Sequence, residues 1–565
     1  MTSSTIPCAE SVATLRSTGI PVPAQLSSES RVRSHFWLLI LVLCLVTSFV
    51  AYRIHRAGEL GQFTEDEAHH AVTGLYFADL MTDLPLSHPI DYTYRYYARY
   101  PALGLIHWPP FFHICEGLMF LIGGRSAATA RITVLMFTLL GLSYWFLLVR
   151  ELLNPWAAAV SALSLGFLPL MVTYEQAVML EIPSLALCIA ATFYWIRFLH
   201  SHSGRALAAF VTFGVLALLT KQQSLYLLPF CGLTLLTGRR SSTLLNWNRL
   251  MYAALFVILV AFCYVLLLGS DLATVKEEVV PSHVYGLADL LFGIRLLPVQ
   301  LGWPMLILSV VGVVTCYCWG QPRNSALMLL WILACYLTFS FVNAREDRYF
   351  MNWIPPLVYF ASWPLAIAPR KAWVRVGAIS LIGGALVCSW VRTAQHYPYI
   401  SGYSTMVRQI VQTKGNEEII LFDGHGAGNL IFDMRVSDPG RRFVVLTKGL
   451  YATRIIEQFG ALELVHDTEG LQRLFAAYGI RHIVVTDQTD FIFPIQRILR
   501  EVLKSPQFRL IAKIPVVTDS RNPLVHNLLL YENQQVSRPK ATSLKLKMLT
   551  LPHDIDVPLQ ELGIH

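Results

Sequence analysis

Long apolar stretches bounded by charged residues recur along most of the chain and set its architecture. Most are long enough to cross a bilayer as a helix, which takes about 17–25 residues. They cover residues 36–52, 132–149, 155–173, 182–199, 206–220, 222–238, 250–269, 298–318, 326–342, 350–368 and 376–391. Residues 34–394 are therefore predicted to form a polytopic α-helical membrane domain with about eleven spans.

One further apolar segment, residues 107–124, is broken by two prolines and contains Glu116. If this segment does not span and the N-terminus is cytoplasmic, nearly all interspan Arg and Lys residues fall inside, as the positive-inside rule requires. If it spans, the basic pairs at 239–240 and 370–371 move outside. We therefore predict an amphipathic helix on the outer face, in a long outer loop (53–130), and an N-in, C-out topology.

The ends of the chain differ from its apolar middle. Residues 1–33 are polar and rich in Ser, Thr and Pro, which predicts a disordered cytoplasmic tail. In residues 395–535, short β-rich runs alternate with helical patterns, which is typical of a small α/β domain. The topology makes this domain extracytoplasmic. The Gly-rich run 423–428 is interpreted as a strand-to-helix turn, and residues 536–565 as a tail.

Composition supports a membrane protein. Of 565 residues, 55% are hydrophobic and only 14% are charged, against roughly 25% charged in a soluble domain. The net charge of +8 comes from Lys and Arg at the ends of apolar runs, so we predict membrane lipids and no nucleic acid as partners. No cysteine follows Cys388, so the outer domain has no disulfide framework.

Under the predicted topology, the charged and imidazole groups that interrupt apolar runs gather on the outer face. A transporter is expected to place such groups near the midplane, on broken helices of repeated halves. The clustering therefore favours chemistry at one membrane face. The residues concerned are Asp66, Glu67, His69, His70, His107, Glu175, Glu181, Lys221, Arg345, Glu346, Asp347 and Arg348.

The carboxylate pair Asp66–Glu67 is the candidate general base for an acceptor hydroxyl. The alternative is a solvated helix start. His69 and His70 lie three and four positions after Asp66 and share its helix face. A metal site with Glu67 or Glu181 is conceivable, but polar packing is the commoner fate of such histidines, and we predict neither a metal nor a cofactor.

The candidate phosphate ligands are cationic. Lys221 offers a point charge for a phosphate, and Arg348 and Arg345 can bind it through a guanidinium fork. Each has a simpler explanation: a lysine snorkelling from a span end, and a local ion-pair knot with Glu346 and Asp347. Glu181 is a candidate substrate ligand or a first-turn carboxylate on the helix dipole.

In order along the chain, these residues resemble the membrane glycosyltransferases of the GT-C fold, in the protein O-mannosyltransferase and lipid A aminoarabinose transferase superfamily. The resemblance covers residues 36–392. It is carried by Asp66-Glu67, His107-Trp-Pro-Pro-Phe111 (with Trp108 inserted), Arg131, Met179-Leu-Glu-Ile-Pro183 (Glu181 for the usual Asp), Leu219-Thr-Lys-Gln222, Arg348-Tyr349 and Pro355–Pro356.

The resemblance implies an inverting hexosyl- or pentosyltransferase with a polyprenyl-phosphate-linked sugar donor and a glycan, lipid or protein acceptor. It implies a site on the outer face of the plasma (inner) membrane, with Asp66 as base, Lys221 and Arg348 at the donor phosphate, and Glu181, His107 and His70 at the substrate. Two other hypotheses remain: a transporter or flippase of lipid-linked glycans, and a non-catalytic scaffold that displays the α/β domain.

Overall fold

In the computed structural model of the protein, the structure describes residues 28–60, 63–105, 107–237, 258, 286–319, 322–340, 346–367, 371–393, 399–412, 418–454, 460–518, 523–549, 551 and 553–565. The first part of the chain is helical. Its helices are α1 (Ser28–Leu60), α2 (Glu65–Asp83), α3 (Pro89–Arg99), α4 (Phe111–Gly123), α5 (Ala127–Leu152), α6 (Pro155–Gly166), α7 (Pro169–Glu175), α8 (Glu181–Ser201), α9 (Gly204–Leu218), α10 (Leu227–Thr237), α11 (Leu287–Leu301), α12 (Trp303–Trp319), α13 (Pro322–Phe339), α14 (Ile354–Ala361), α15 (Pro364–Ile367) and α16 (Ala372–Thr393), with 3-10 turns at Gln222–Tyr226 and Asp347–Trp353.

Within these described ranges, four helices are long and apolar enough to cross a membrane: α1, α5, α8 and α16. The number rises to six if each of two bent pairs is one span. These pairs are α6 with α7, bent by 64°, and α11 with α12, bent by 113°. Helices occupy all the predicted spans except 250–269, which lies outside the described residues apart from Ile258. The total of about eleven spans and the N-in, C-out topology stay predictions.

The segment 107–124 is helical, as predicted, but only from Phe111, after Pro109 and Pro110. This helix, α4, is 13 residues long and packs against α2. Contact is close because Gly117 of α4 lies against the backbone of α2: a Cβ on Gly117 would be 2.9 Å from Ala78 N. The pair α2–α4 is the framework of the outer loop.

The region after residue 399 contains the predicted α/β domain, which we call the outer domain after its predicted location. Its helices are α17 (Tyr403–Gln412), α18 (Ala427–Ser437), α19 (Thr468–Tyr478) and α20 (Pro494–Val502), and its strands are β1 (Glu418–Asp423), β2 (Phe443–Leu446), β3 (Tyr451–Thr453), β4 (Ala461–Glu463), β5 (His482–Thr486), β6 (Phe508–Pro515) and β7 (Asn527–Asn533). Five strands form one sheet in the order β2-β1-β5-β7-β6. Strands β2, β1 and β5 are parallel, and β7 is antiparallel to both of its neighbours, β5 and β6.

The Gly-rich run after β1 is the predicted strand-to-helix turn. Gly424 has a φ of +150° and Gly426 a φ of +76°, both in the region that favours glycine. Space is also limited, since a Cβ on Gly426 would lie 2.2 Å from the hydroxyl of Tyr403. The turn therefore aims α18 away from the sheet and toward α2, with which it packs.

Residues 536–565 differ from the tail that the sequence analysis expected. They form the antiparallel pair β8 (Ser543–Leu546) and β9 (Ile555–Pro558), followed by a 3-10 turn at Leu559–Leu562. Leu544 and Leu546 alternate with lysines along β8 and are fully buried. This hairpin and turn pack against α3, so the end of the chain is part of the folded structure.

Candidate functional site

A buried ion pair forms the base of the candidate site. Glu181 opens α8, and Lys221 precedes the 3-10 turn after α9. Lys221 Nζ donates to Glu181 Oε1 at 2.5 Å, with Lys221 9% and Glu181 4% exposed. The second oxygen of Glu181, Oε2, has no hydrogen-bond partner within the described part of the chain. A buried carboxylate oxygen without a donor is a ready acceptor for a substrate hydroxyl.

Arg348 joins this pair to Asp66 at the start of α2. Its Nε lies 3.5 Å from Glu181 Oε1, and its NH1 donates to Asp66 Oδ2 at 3.2 Å. Glu346 also contacts the guanidinium: its Oε2 lies 2.5 Å from Arg348 Nε, and its Oε1 accepts a hydrogen bond from NH2 at 3.0 Å. Burial disfavours the charged guanidinium, but Glu181 and Glu346 outweigh it and raise the pKa of Arg348 above its ordinary value. Arg348 is therefore a permanent cation.

The aromatic ring of Tyr349 lies beside both cations. Lys221 Nζ is 5.5 Å from the ring centroid, and the Arg348 guanidinium carbon is 5.8 Å from it. Cations at this distance interact favourably with the negative face of a tyrosine ring. Tyr349 therefore helps to hold two like charges close together, which a phosphate ligand requires.

Asp66 and Glu67 are adjacent but have different surroundings. The Asp66 side chain is 49% exposed and its contact is Arg348. Glu67 is buried and its carboxylate accepts hydrogen bonds from the backbone amides of Thr64 and Val178, both at 2.8 Å, and from the Thr64 hydroxyl. It forms a capping box with Thr64 at the start of α2. The geometry leaves Asp66 accessible and makes Glu67 a structural cap.

His70 lies one turn further along α2 and contacts other ring systems. Its Nδ1 is 3.0 Å from His113 Nε2, and its ring centroid is 4.2 Å from that of Trp108. Burial lowers the pKa of His70 well below its ordinary value, and the charge of His113 adds to this effect. His70 is therefore neutral at pH 7 and lines the wall of the site without adding charge.

The predicted substrate ligand His107 reaches the Lys221 turn through its backbone. Gln222 Nε2 donates to the His107 carbonyl at 3.0 Å. Phe111, after the two prolines, donates its amide to the Leu219 carbonyl at 2.9 Å. The His107–Phe111 segment is thus tied to both sides of Lys221.

The outer domain takes part in positioning Asp66. Asn429 of α18 is fully buried and binds the backbone of Phe63 in both directions: its Oδ1 accepts from Phe63 N at 3.3 Å, and its Nδ2 donates to Phe63 O at 2.8 Å. Gly428 packs on Ala68, whose Cβ would be 2.8 Å from a Cβ at position 428. The start of α2, which carries Asp66, is thus held by contacts on both sides of this residue.

A second link between the outer domain and α2 is ionic. Arg435 of α18 donates from Nε and NH2 to the two oxygens of Asp79, both at 2.6 Å. Arg125 also donates to Asp79 at 2.7 Å. Sequence reasoning missed Asp79 and Asn429. Asp79 could have been recognised from the sequence as a lone carboxylate inside the apolar part of α2. No feature of the sequence marks Asn429 in this way.

The structure thus brings Asp66, Glu181, Lys221 and Arg348 together from four distant stretches of chain. Of the other predicted residues, Glu67, His70 and His107 lie around this group, and Arg345 lies outside the described residues. No group of three or more His, Cys, Asp or Glu side chains suited to a metal occurs in the described ranges. We define Asp66, Glu181, Lys221 and Arg348 as the charged cluster.

The comparisons show that the chain has a fold like that of the GT-C membrane glycosyltransferases, the family that its motifs resemble. A family model described as dolichyl-phosphate-mannose-protein mannosyltransferase matches residues 107–267, which include Glu181 and Lys221. The resemblance drawn from the motifs is confirmed. No curated protein matches the sequence.

Particular structures agree over most of the chain. ArnT from Cupriavidus metallidurans in the apo state is 13% identical, with a TM-score of 0.57 over 88% of this chain and 98% of that one. ArnT bound to undecaprenyl phosphate gives the same TM-score and identity over 89% and 98%. The arabinofuranosyltransferase AftD from Mycobacteria is 15% identical, with a TM-score of 0.52 over 90% of this chain and 40% of that one. At these identities the likeness shows the fold.

Proposed function

We propose that the chain is an integral-membrane glycosyltransferase that moves a monosaccharide from a polyprenyl-phosphate donor to an acceptor hydroxyl, on the extracytoplasmic face of the plasma (inner) membrane. The observation that carries this proposal is the charged cluster, in which an accessible carboxylate, Asp66, contacts Arg348, and Arg348 in turn lies beside the buried Glu181–Lys221 pair. The matched family description names dolichyl-phosphate mannose and ArnT binds undecaprenyl phosphate, so a polyprenyl phosphate is common to both.

Three members of the charged cluster, Asp66, Lys221 and Arg348, have a direct chemical role. The Asp66 carboxylate accepts the proton of the acceptor hydroxyl as that oxygen attacks the anomeric carbon of the sugar. The bond between the anomeric carbon and the phosphate oxygen breaks, and polyprenyl phosphate leaves with its bonding electrons. Lys221 and Arg348 stabilise the negative charge that develops on this phosphate. Attack from the face opposite the leaving group inverts the anomeric configuration.

The contact between Asp66 and Arg348 suggests how donor binding prepares the base. Asp66 and Glu346 are half-exposed carboxylates on the outer side of Arg348, whereas Glu181 is buried beneath it. A donor phosphate that binds the guanidinium bidentately takes the place of an exposed carboxylate. Asp66 then loses its Arg348 contact and faces the acceptor. Donor binding therefore precedes proton abstraction.

Two matched carboxylate variants test the assignment of Asp66. Asp66→Asn removes the base and should lower transfer from lipid-linked sugar by about 10²–10⁴-fold. Glu346→Gln removes an equally exposed carboxylate from the same guanidinium and should leave transfer within a few fold. Both proteins should still be stabilised by undecaprenyl phosphate in a thermal-shift assay. If Asp66→Asn retains full activity, Asp66 is not the base.

The substrates are identified by mass spectrometry of envelope glycans, lipids and proteins from cells with and without the chain. A hexose, pentose or uronic acid missing from one acceptor would name both sugar and acceptor. If the lipid-linked sugar is instead retained on the inner leaflet when the acceptor loses its sugar, the flippase hypothesis is supported, because loss of a transferase leaves the donor on the outer leaflet.

A further inference from the structure

A cavity of about 440 Å³ lies between α3, the turn before β2 and the 3-10 turn near the end of the chain. Four arginines line it: Arg95 and Arg99 from α3, and Arg441 and Arg442 from the turn. Glu561 is the one carboxylate among its lining residues. This volume is within the usual range for small-ligand sites, about 300–1,000 Å³. We call it the arginine cavity.

Two of these arginines have donors to spare. Arg95 uses NH1 for Glu561 Oε2 at 2.9 Å, and Arg99 uses NH2 for the Leu562 carbonyl at 2.7 Å. A guanidinium has five N–H donors, so most donors of Arg95 and Arg99 remain without a protein acceptor in the described structure. Arg442 directs Nε to Asp438 at 3.0 Å.

Positive charge in the arginine cavity is only partly neutralised. Burial lowers the pKa of the Arg99 guanidinium, and the positive charges of Arg441 and Arg435 lower it further, although Asp438 acts in the opposite direction. Asp79 and Asp83, which pair with Arg441, lie behind the lining residues. An anion inside the cavity would offset this crowding of cations.

The surroundings of the arginine cavity indicate where its anion comes from. Leu84, Leu86 and Ile90, at the junction of α2 and α3, are largely exposed to solvent. Apolar side chains exposed together mark a surface that meets a partner or a membrane. Arg95 lies five residues after Ile90 on the same helix, about 8 Å along its axis. This short separation along α3 favours a lipid headgroup at that surface as the source of the anion.

We propose that the arginine cavity binds the phosphate of an anionic membrane lipid headgroup. Arginine forks bind phosphate bidentately and directionally, and phosphatidic acid offers a monoester phosphate without a masking cation. The site is separate from the charged cluster, because Asp66 and Asp83 are 17 residues apart on α2, about 25 Å. The proposal does not depend on the proposed glycosyl transfer.

The test uses the full chain in neutral detergent and measures ligand-dependent shifts of the unfolding temperature. The probes are dihexanoyl phosphatidic acid, dihexanoyl phosphatidylcholine and inorganic phosphate. We expect phosphatidic acid to bind at least tenfold more tightly than either other probe. Equal binding of inorganic phosphate would overturn the lipid source, and equal binding of phosphatidylcholine would overturn the anion site.

Paired variants separate anion binding from a structural effect. Arg95→Gln and Glu561→Gln break the same ion pair. Arg95→Gln should weaken phosphatidic acid binding about tenfold, as expected for lost hydrogen bonds to a charged group. Glu561→Gln should strengthen it, because it removes a competing carboxylate. Shifts in the same direction for both variants would overturn the proposal.

Two further variants control for charge and for the other phosphate site. Lys545→Gln removes an exposed cation from β8, outside the cavity lining, and should leave the affinity unchanged. Arg348→Gln alters the charged cluster and should also leave it unchanged. Loss of phosphatidic acid binding in Arg348→Gln would show that the lipid occupies the donor site and would overturn the proposal.

Discussion

Replacing Asp79 by asparagine tests whether the outer domain is held on α2 by a buried charge. Asp79 is completely buried and accepts hydrogen bonds from Arg435, Arg125 and the hydroxyl of Tyr96 at 2.6–2.9 Å. Arg441 lies 3.3 Å away. Asparagine has nearly the same shape, but it removes the charge and turns one acceptor into a donor. The guanidinium groups of Arg125, Arg435 and Arg441 then no longer have the Asp79 carboxylate between them.

The expected loss of stability follows from the burial of Arg435, which is only 2% exposed. Breaking a buried ion pair by removing one partner costs about 3–5 kcal/mol, because the remaining charge stays uncompensated. Asp83→Asn on the same helix is the matched control. Asp83 pairs with Arg441, and both side chains are roughly a quarter to a third exposed, so the expected loss is about 1 kcal/mol or less.

The assay is denaturant unfolding of the purified protein, followed by pulse proteolysis of the outer domain. Asp79→Asn should shift the unfolding midpoint of that domain well below the midpoint of Asp83→Asn. Glycosyl transfer should fall in the same variant, since α2 also carries Asp66. Equal midpoints for the two variants would refute the reasoning, because buried and exposed carboxylates would then contribute alike.

Other consequences of the site geometry can be measured in the same preparations. Asn429→Ala leaves the Phe63 amide and carbonyl without their partner, so kcat should fall while donor affinity is unchanged in initial-rate assays. Lys221→Met should weaken undecaprenyl phosphate binding about tenfold or more in thermal-shift titrations, because it removes a charge-assisted contact. Glu67→Gln should lower stability by about 1 kcal/mol in denaturant unfolding through the weakened cap. Folding lowers the pKa of His70 below its ordinary value of 6.5, so the free energy of unfolding should decrease as the pH falls below 6.5, by up to about 1.4 kcal/mol per pH unit, and should be unaffected by this residue above pH 6.5. The acid-induced decrease in melting temperature should therefore be smaller in His70→Gln.

The cluster of Asp66, Lys221 and Arg348 could be predicted because each interrupts an apolar run. A charge in such a run is unfavourable in lipid, so it faces water, a partner charge or a ligand. The sequence therefore indicates that these residues share one face. It does not indicate that Arg348 bridges Asp66 and Glu181, because the contact joins residues 282 positions apart in the first case and 167 in the second.

Local signals would have improved some predictions. The run Thr64-Glu-Asp-Glu67 matches the capping-box pattern, in which the last Glu folds back on the helix start. That pattern already separates Glu67 from Asp66 as a structural residue. Likewise, the alternation of leucine and lysine around residue 544 is a strand pattern, which argues against a tail. The role of Asn429 could not be predicted in this way, because a contact between a side-chain amide and a distant backbone segment produces no pattern in the sequence.

Helix α18 contacts the α2 region at two points, and this explains why an outer domain accompanies the charged cluster. Asn429, near the start of α18, binds Phe63 just before α2, and Arg435, near its end, binds Asp79 in the last turns of α2. A helix held at both ends cannot tilt or slide freely, so the position of Asp66 relative to Arg348 is set partly by residues of the outer domain. Because displacement of a reacting group by about 1 Å can lower a rate about 100-fold, the outer domain is part of the catalytic unit in the proposed function.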